Sequence, residues 1–147
     1  TLITVAKDNF EARPHYEFVV QQARDFIEGE NNPNRFTKVL LYAAIQYFSD
    51  NELSYILTEI KENFRNVDTI FIGNIPDRDC AEQFYKGGLP SEYELSDYQT
   101  AIGRWRTKTE LGVLIRDSGW DVTFSTMPAE FYASNYRFDA RLYMKRR

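Results

Sequence analysis

The strongest constraint on this fold is a strand–helix–strand pattern over residues 36–75. Phe36 to Ile45 (FTKVLLYAAI) is nearly continuous apolar sequence, as in a buried strand running into its exit loop. A helix follows. Ser49 and Glu52 have capping-box spacing, and Leu53, Ile56, Leu57, Ile60 and Phe64 recur on one helical face. Val67 to Ile75 (VDTIFIGNI) is the next apolar run, closed by Pro76-Asp77. Two strands joined through a helix pair in parallel and cross over with right-handed sense. The pattern therefore predicts an α/β sheet.

The flanking segments extend this order. Leu2 to Val5 is a short apolar run and Tyr16 to Val20 (YEFVV) a further strand candidate, with Pro14 between them. Asn31 to Asn34 reads as a loop. Beyond the central unit, a short helix is expected over 79–86, then Gly87-Gly88 and a polar, Tyr-rich loop over 89–99. Thr107 and Glu110 form a second capping box, with Leu111, Leu114 and Ile115 on one face and Gly119 as a stop. Asp121 to Met127 and Tyr136 to Lys145 are the last two strands. In the second, Phe138, Ala140, Leu142 and Met144 alternate with Arg137, Asp139, Arg141 and Tyr143, predicting an antiparallel pair near an edge.

Composition narrows the chemistry. Aromatics make up 16% of 147 residues, which excludes a disordered chain. The net charge of −4 argues against a nucleic-acid footprint. One cysteine, Cys80, permits no internal disulfide and suits a reducing, cytoplasmic setting. The lone His15 excludes His-pair metal sites, and no metal is expected. No apolar run approaches the ~18 residues of a membrane span. The closing Lys145-Arg146-Arg147 reads as a solvated tail.

Several segments, taken in order, resemble class I S-adenosylmethionine-dependent methyltransferases, which have a Rossmann-like sheet. Phe36 to Phe48 is similar to that family's fourth strand and exit loop, Tyr16 to Asp25 to the third strand and its exit, and Ile72 to Asp77 to the fifth-strand exit. Gly103-Arg104-Trp105, Thr107, Glu110-Leu111 and then Ser118 to Val122 resemble the C-terminal unit. Tyr136 to Asp139 resembles the last strand of members found near sugar and surface-polysaccharide biosynthesis. The resemblance spans residues 16–145.

It implies a mostly parallel sheet with an antiparallel C-terminal strand pair, in one partial domain over 1–147. The implied cofactor is S-adenosylmethionine, and the implied reaction is methyl transfer to a small-molecule acceptor, such as a sugar or polysaccharide precursor. Position by position, the resemblance assigns Asp8 to the ribose hydroxyls and Gln22 and Ala23 to the adenine. Tyr42, Ala43 and Ala44 are assigned to the methionine moiety and sulfonium. Gln46, where relatives often carry His, and Asp77 would orient or activate the acceptor. Tyr47, Asp79, Arg104 and Trp105 would bind it. Several have a structural alternative: Asp8 and Gln22 as turn or loop polar groups, the tyrosines as packing, Asp77 and Asp79 as turn and cap residues, Trp105 as a plug beside the sheet.

One departure stands out. The family's glycine-rich loop after its first strand lets backbone approach the cofactor. Glycine numbers only 7 here, and the sole adjacent pair, Gly87-Gly88, follows a helix. The sequence thus reads as the bulk of a methyltransferase domain without its first strand and cradle, part of a longer enzyme. A non-catalytic, methyltransferase-like interaction subunit is the alternative. A sheet lacking a central strand exposes an edge, so self-association or only marginal stability is expected.

Overall fold

The computed structural model describes residues 2–10 and 15–144. The chain divides into two compact units, Thr1–Glu30 and Asn31–Arg147.

In the first unit the expected strand over Leu2 to Val5 is instead the start of helix α1 (Leu2–Phe10). Ile3, Ala6 and Lys7 are its half-buried positions. That spacing of three and four is helical, and it overrides the β-branched composition. Tyr16 to Val20 is not a strand either. It runs without a ladder partner, while the rings of Phe10, Tyr16 and Phe18 gather at centroid separations of 6.3–6.4 Å. Helix α2 (Ala23–Gly29) closes the unit.

The second unit holds the sheet. Strand β1 (Lys38–Tyr42) leads through a 3-10 turn at Ile45–Tyr47 into α3 (Asp50–Asn63), then β2 (Thr69–Pro76). A 3-10 helix at Arg78–Gln83 replaces the α-helix expected over 79–86. The stretch expected as open loop contains a short helix, α4 (Glu92–Ser96), with a full Ser91–Glu94 capping box. Helix α5 (Lys108–Asp117) carries the predicted Thr107–Glu110 box, and α3 starts with the Ser49 side chain accepting from the Glu52 amide. Strands β3 (Asp121–Thr126) and β4 (Arg137–Tyr143) end the described sheet. Lys145 to Arg147, expected as strand end and tail, lie outside the described residues.

The strand order is β1-β2-β4-β3. β1 and β2 are parallel, from Lys38 opposite Thr69 to Tyr42 opposite Gly73. β4 inserts antiparallel between β2 and β3. The parallel part is thus a single pair. Ile70, Ile72, Ala140 and Leu142 point to one face and are buried, with Leu53, Ile56, Leu57 and Ile60 of α3 and Leu111 and Ile115 of α5 in the same core. The Trp120 indole donates to the Leu57 carbonyl at 2.9 Å and ties the β3 entry to α3. The other face shows Leu40, Phe71, Arg141 and Thr123, which the register sets in one row, all exposed.

Candidate functional site

In open α/β sheets ligands bind beyond the carboxyl ends of the parallel strands. Here that end is the exit of β1 and β2. Among the described residues only two non-glycine residues have positive φ: Ala43 at 51° and Asn74 at 64°. They flank each other, because the Ala43 amide donates to the Gly73 carbonyl at 2.9 Å. The left-handed conformation costs an alanine about 1–2 kcal/mol, and such strain gathers where a site requires it. Asn74 lies in a register shift between Ile72 and Ile75, where two residues of β2 oppose Asp139 of β4. A bulge of this kind re-aims a side chain at the end of a ladder. Gly73 is glycine for a local reason: a Cβ there would come within 2.5 Å of the Tyr42 ring.

A second loop is laced onto the β1 exit. The Arg104 amide donates to the Gln46 carbonyl at 2.8 Å, and the Tyr47 hydroxyl donates to the Ala101 carbonyl at 2.9 Å. Gly103, at φ 79°, permits this approach; a Cβ would lie 2.6 Å from the Gln46 carbonyl oxygen. Arg106 completes the closure. Its guanidinium donates to the carbonyls of Ile45 at 3.0 Å and Phe48 at 2.7 Å, and to Asp50 at 3.1 and 3.2 Å. Burial lowers the Arg106 pKa, and the Asp50 carboxylate opposes that shift. Arg104 reaches the other Asp50 oxygen at 2.9 Å.

The residues singled out from sequence divide accordingly. Tyr42, Ala43, Ala44, Gln46 and Tyr47 follow one another at the β1 exit, with Tyr42 and Tyr47 about half exposed. Gln46 is buried. Its amide nitrogen donates to the Ala43 carbonyl at 3.1 Å, which leaves Oε1 without a partner. Asp77 is also buried, and both of its carboxylate oxygens are engaged. One accepts from the Asp79 amide at 3.2 Å, the other from Lys108 at 2.7 Å. That arrangement serves a turn and not an approaching acceptor. Asp79, on the same turn, is exposed. Cys80 lies nearby; burial first, then the Asp77 charge, push its thiol pKa above 9.0.

Trp105 is buried among Phe84, Tyr85 and Tyr136, with ring centroids 5.5–6.1 Å away, so it is a core plug and offers no stacking surface. Arg104 lines a groove of about 560 Å³ with Asp50, Ser54, Arg106, Glu110 and Asp117. A larger groove of about 830 Å³, lined by Lys38, Asp68, Phe71 and Arg141 among others, lies at the opposite end of the β1–β2 pair. Asp8, Gln22 and Ala23 belong to the first unit. Asp8 is exposed on α1, Gln22 caps α2 and Ala23 begins it. None of the three follows a strand, so the strand-end placement that suggested their cofactor contacts is absent. Sequence reasoning passed over Asn74 and Asp139, and it offered Arg106 for ligand binding where the structure buries it in the loop closure. Only the register marks Asn74 and Asp139.

No family model and no curated protein matches the chain. Solved structures do. Magnesium protoporphyrin IX methyltransferase from Synechocystis, crystallised with bound S-adenosylhomocysteine, superposes with a TM-score of 0.61 at 10% identity, over 97% of this chain and 59% of that one. The chain has the class I methyltransferase fold. An O-methyltransferase from Nostoc punctiforme, so described provisionally, gives 0.62 at 16% identity, over 96% of this chain and 41% of its own. A small RNA methyltransferase gives 0.59 at 11% identity over 82% and 15%. The chain therefore spans less than two thirds of the length of these methyltransferase-fold neighbours. Among the described residues no helix is long and apolar enough to cross a membrane.

Proposed function

We propose that this chain carries the acceptor-side part of an S-adenosylmethionine-dependent methyl-transfer site within a longer enzyme, with a small sugar or polysaccharide precursor as acceptor. The observation that carries the reading is the pair of left-handed residues, Ala43 and Asn74, at the carboxyl ends of adjacent strands in a methyltransferase fold, with the strain falling on Ala43. Methyl transfer from a sulfonium is an in-line displacement that depends chiefly on positioning. A laced, rigid exit loop suits that demand. In this reading the 42–44 backbone faces the cofactor, Gln46 fixes that backbone through the Ala43 carbonyl, and Tyr47 borders the acceptor. A hydroxyl acceptor also needs a proton acceptor. Asp79 is the exposed carboxylate on the β2 exit turn, whereas Asp77 holds the turn.

The test is a titration with S-adenosylhomocysteine, read by calorimetry and by amide chemical shifts. Binding weaker than micromolar is expected, because the sequence has no glycine-rich cradle, with shifts centred on Tyr42 to Ala44. Shifts confined elsewhere would overturn the assignment, and micromolar affinity would overturn the expected weakness. A non-catalytic interaction subunit is favoured by one observation, the exposed apolar positions Leu40 and Phe71 beside the β1 edge. Under that reading no ligand shifts appear and the chain associates through this edge.

A further inference from the structure

We propose that Asn74, Asp139 and the ring of Tyr42 form a subsite for a neutral, hydroxyl-rich ring, and that this subsite sets the acceptor class. The proposal rests on reading the carboxyl end of the sheet as the reactive end, and it moves the Tyr42 ring from cofactor to acceptor.

The register places these groups together. Tyr42 is opposite Gly73 on β2, Asp139 is opposite the bulge at Gly73-Asn74, and Ser125 follows on β3. The bulge is clamped from both sides. The Asn74 amide donates to Asp139 Oδ1 at 2.9 Å, and Arg137 donates to the Asn74 carbonyl at 2.7 Å. The backbone of Asn74 is thus fixed in a conformation that glycine would hold without strain, yet an asparagine occupies it. Its carboxamide is half-buried and makes no hydrogen bond. Asp139 uses one oxygen on the Asn74 amide and keeps the other for a ligand.

A free carboxamide presents both donors and acceptors, and a free carboxylate oxygen presents acceptors. Together they match vicinal hydroxyls. Tyr42 is 51% exposed, and the missing Cβ at Gly73 lets its ring lie against the sheet. An aromatic face of that kind takes the C–H face of a sugar ring. An anionic ligand fits less well, since the Asp139 carboxylate beside Asn74 repels it.

The experiment titrates the full chain with methyl glucoside to about 50 mM, without cofactor, and follows amide shifts for a millimolar-range complex. Localised shifts at Ala43, Gly73, Asn74 and Asp139 are expected. Asn74→Gly should melt at or above the wild-type temperature, because glycine is at ease at this φ, while its probe-induced shifts fall by about fivefold at equal ligand. Asp139→Asn, which keeps an oxygen for the Asn74 amide, should also weaken binding. The proposal is overturned if the wild type shows no localised shifts, or if Asn74→Gly binds the probe as well as wild type. Because the probe titration needs no methyl donor, localised shifts at Asn74 and Asp139 would support the subsite even if the S-adenosylhomocysteine titration gave no shifts at Tyr42 to Ala44, an outcome that would count against the methyl-transfer reading alone.

Discussion

Arg106 joins three pieces of the chain with one guanidinium, holding the Ile45 and Phe48 carbonyls and the Asp50 carboxylate. Arg106→Met would fill the volume but leave two carbonyls without donors. We expect a loss of about 3 kcal/mol in urea unfolding, with Arg106→Lys intermediate because a single ammonium cannot reach all three partners. Glu110 supplies a pH signal. Desolvation raises its pKa, but the Thr107 backbone amide and hydroxyl, then Arg78 and Arg104, outweigh this and leave it below the ordinary 4.5. A carboxyl whose pKa is depressed on folding contributes stability above its unfolded pKa and loses it as the pH falls through the folded value. Thermal midpoints should therefore drop as the pH is lowered below about 4.5, and less steeply in Glu110→Gln. Cys80 behaves in the opposite sense. Its raised pKa keeps the thiol protonated at pH 8, so alkylation by iodoacetamide should be slower than for free cysteine and accelerate only in more alkaline buffer.

At the scale of elements, caps and edges decide the behaviour. The Thr107–Glu110 box satisfies two amides at the start of α5, and Thr107→Ala should cost about 1 kcal/mol in the same unfolding assay. Strand β1 is the edge of the described sheet next to β2, with Leu40 at 66% exposure. Exposed apolar edge strands pair with other chains unless a charge blocks them. The chain should therefore sediment as more than a monomer at high concentration, and Leu40→Lys should shift it toward monomer. A wild type that stays monomeric throughout would remove this expectation. The helices at both capping sites were legible because their signals are local: a hydroxyl and a carboxylate three residues apart, then apolar residues at helical spacing. The same spacing exists at Ser91 and Glu94, but only five helical residues follow, too few for an apolar periodicity to be visible.

Across the whole molecule, local pattern fixed much of the second unit. The alternation in β4 and the helical stripes of α3 and α5 depend on residues close in sequence, so each could be read directly. The apolar run of β1 marked a strand but not its surroundings: expected to be buried, it lies at the edge of the described sheet with Lys38, Leu40 and Tyr42 exposed and no residue buried. The first unit misled because apolar β-branched residues satisfy a strand pattern and a short helix equally well. Leu2 to Val5 finds no ladder and coils, and Tyr16 to Val20 stays extended without one. The candidate site was legible in part. The segment Tyr42 to Tyr47 could be placed at a strand exit from sequence order alone. Whether Asp77 or Asp79 faces outward, whether Trp105 is platform or plug, and that Asn74 stands beside Asp139 depended on contacts between segments about 20 to 65 residues apart. Sequence by itself thus determined the four strands and the two long helices of the second unit and the order in which they run. Tertiary structure decided which polar groups were consumed by closure and which were left free, because hydrogen-bond satisfaction is settled only when distant segments meet.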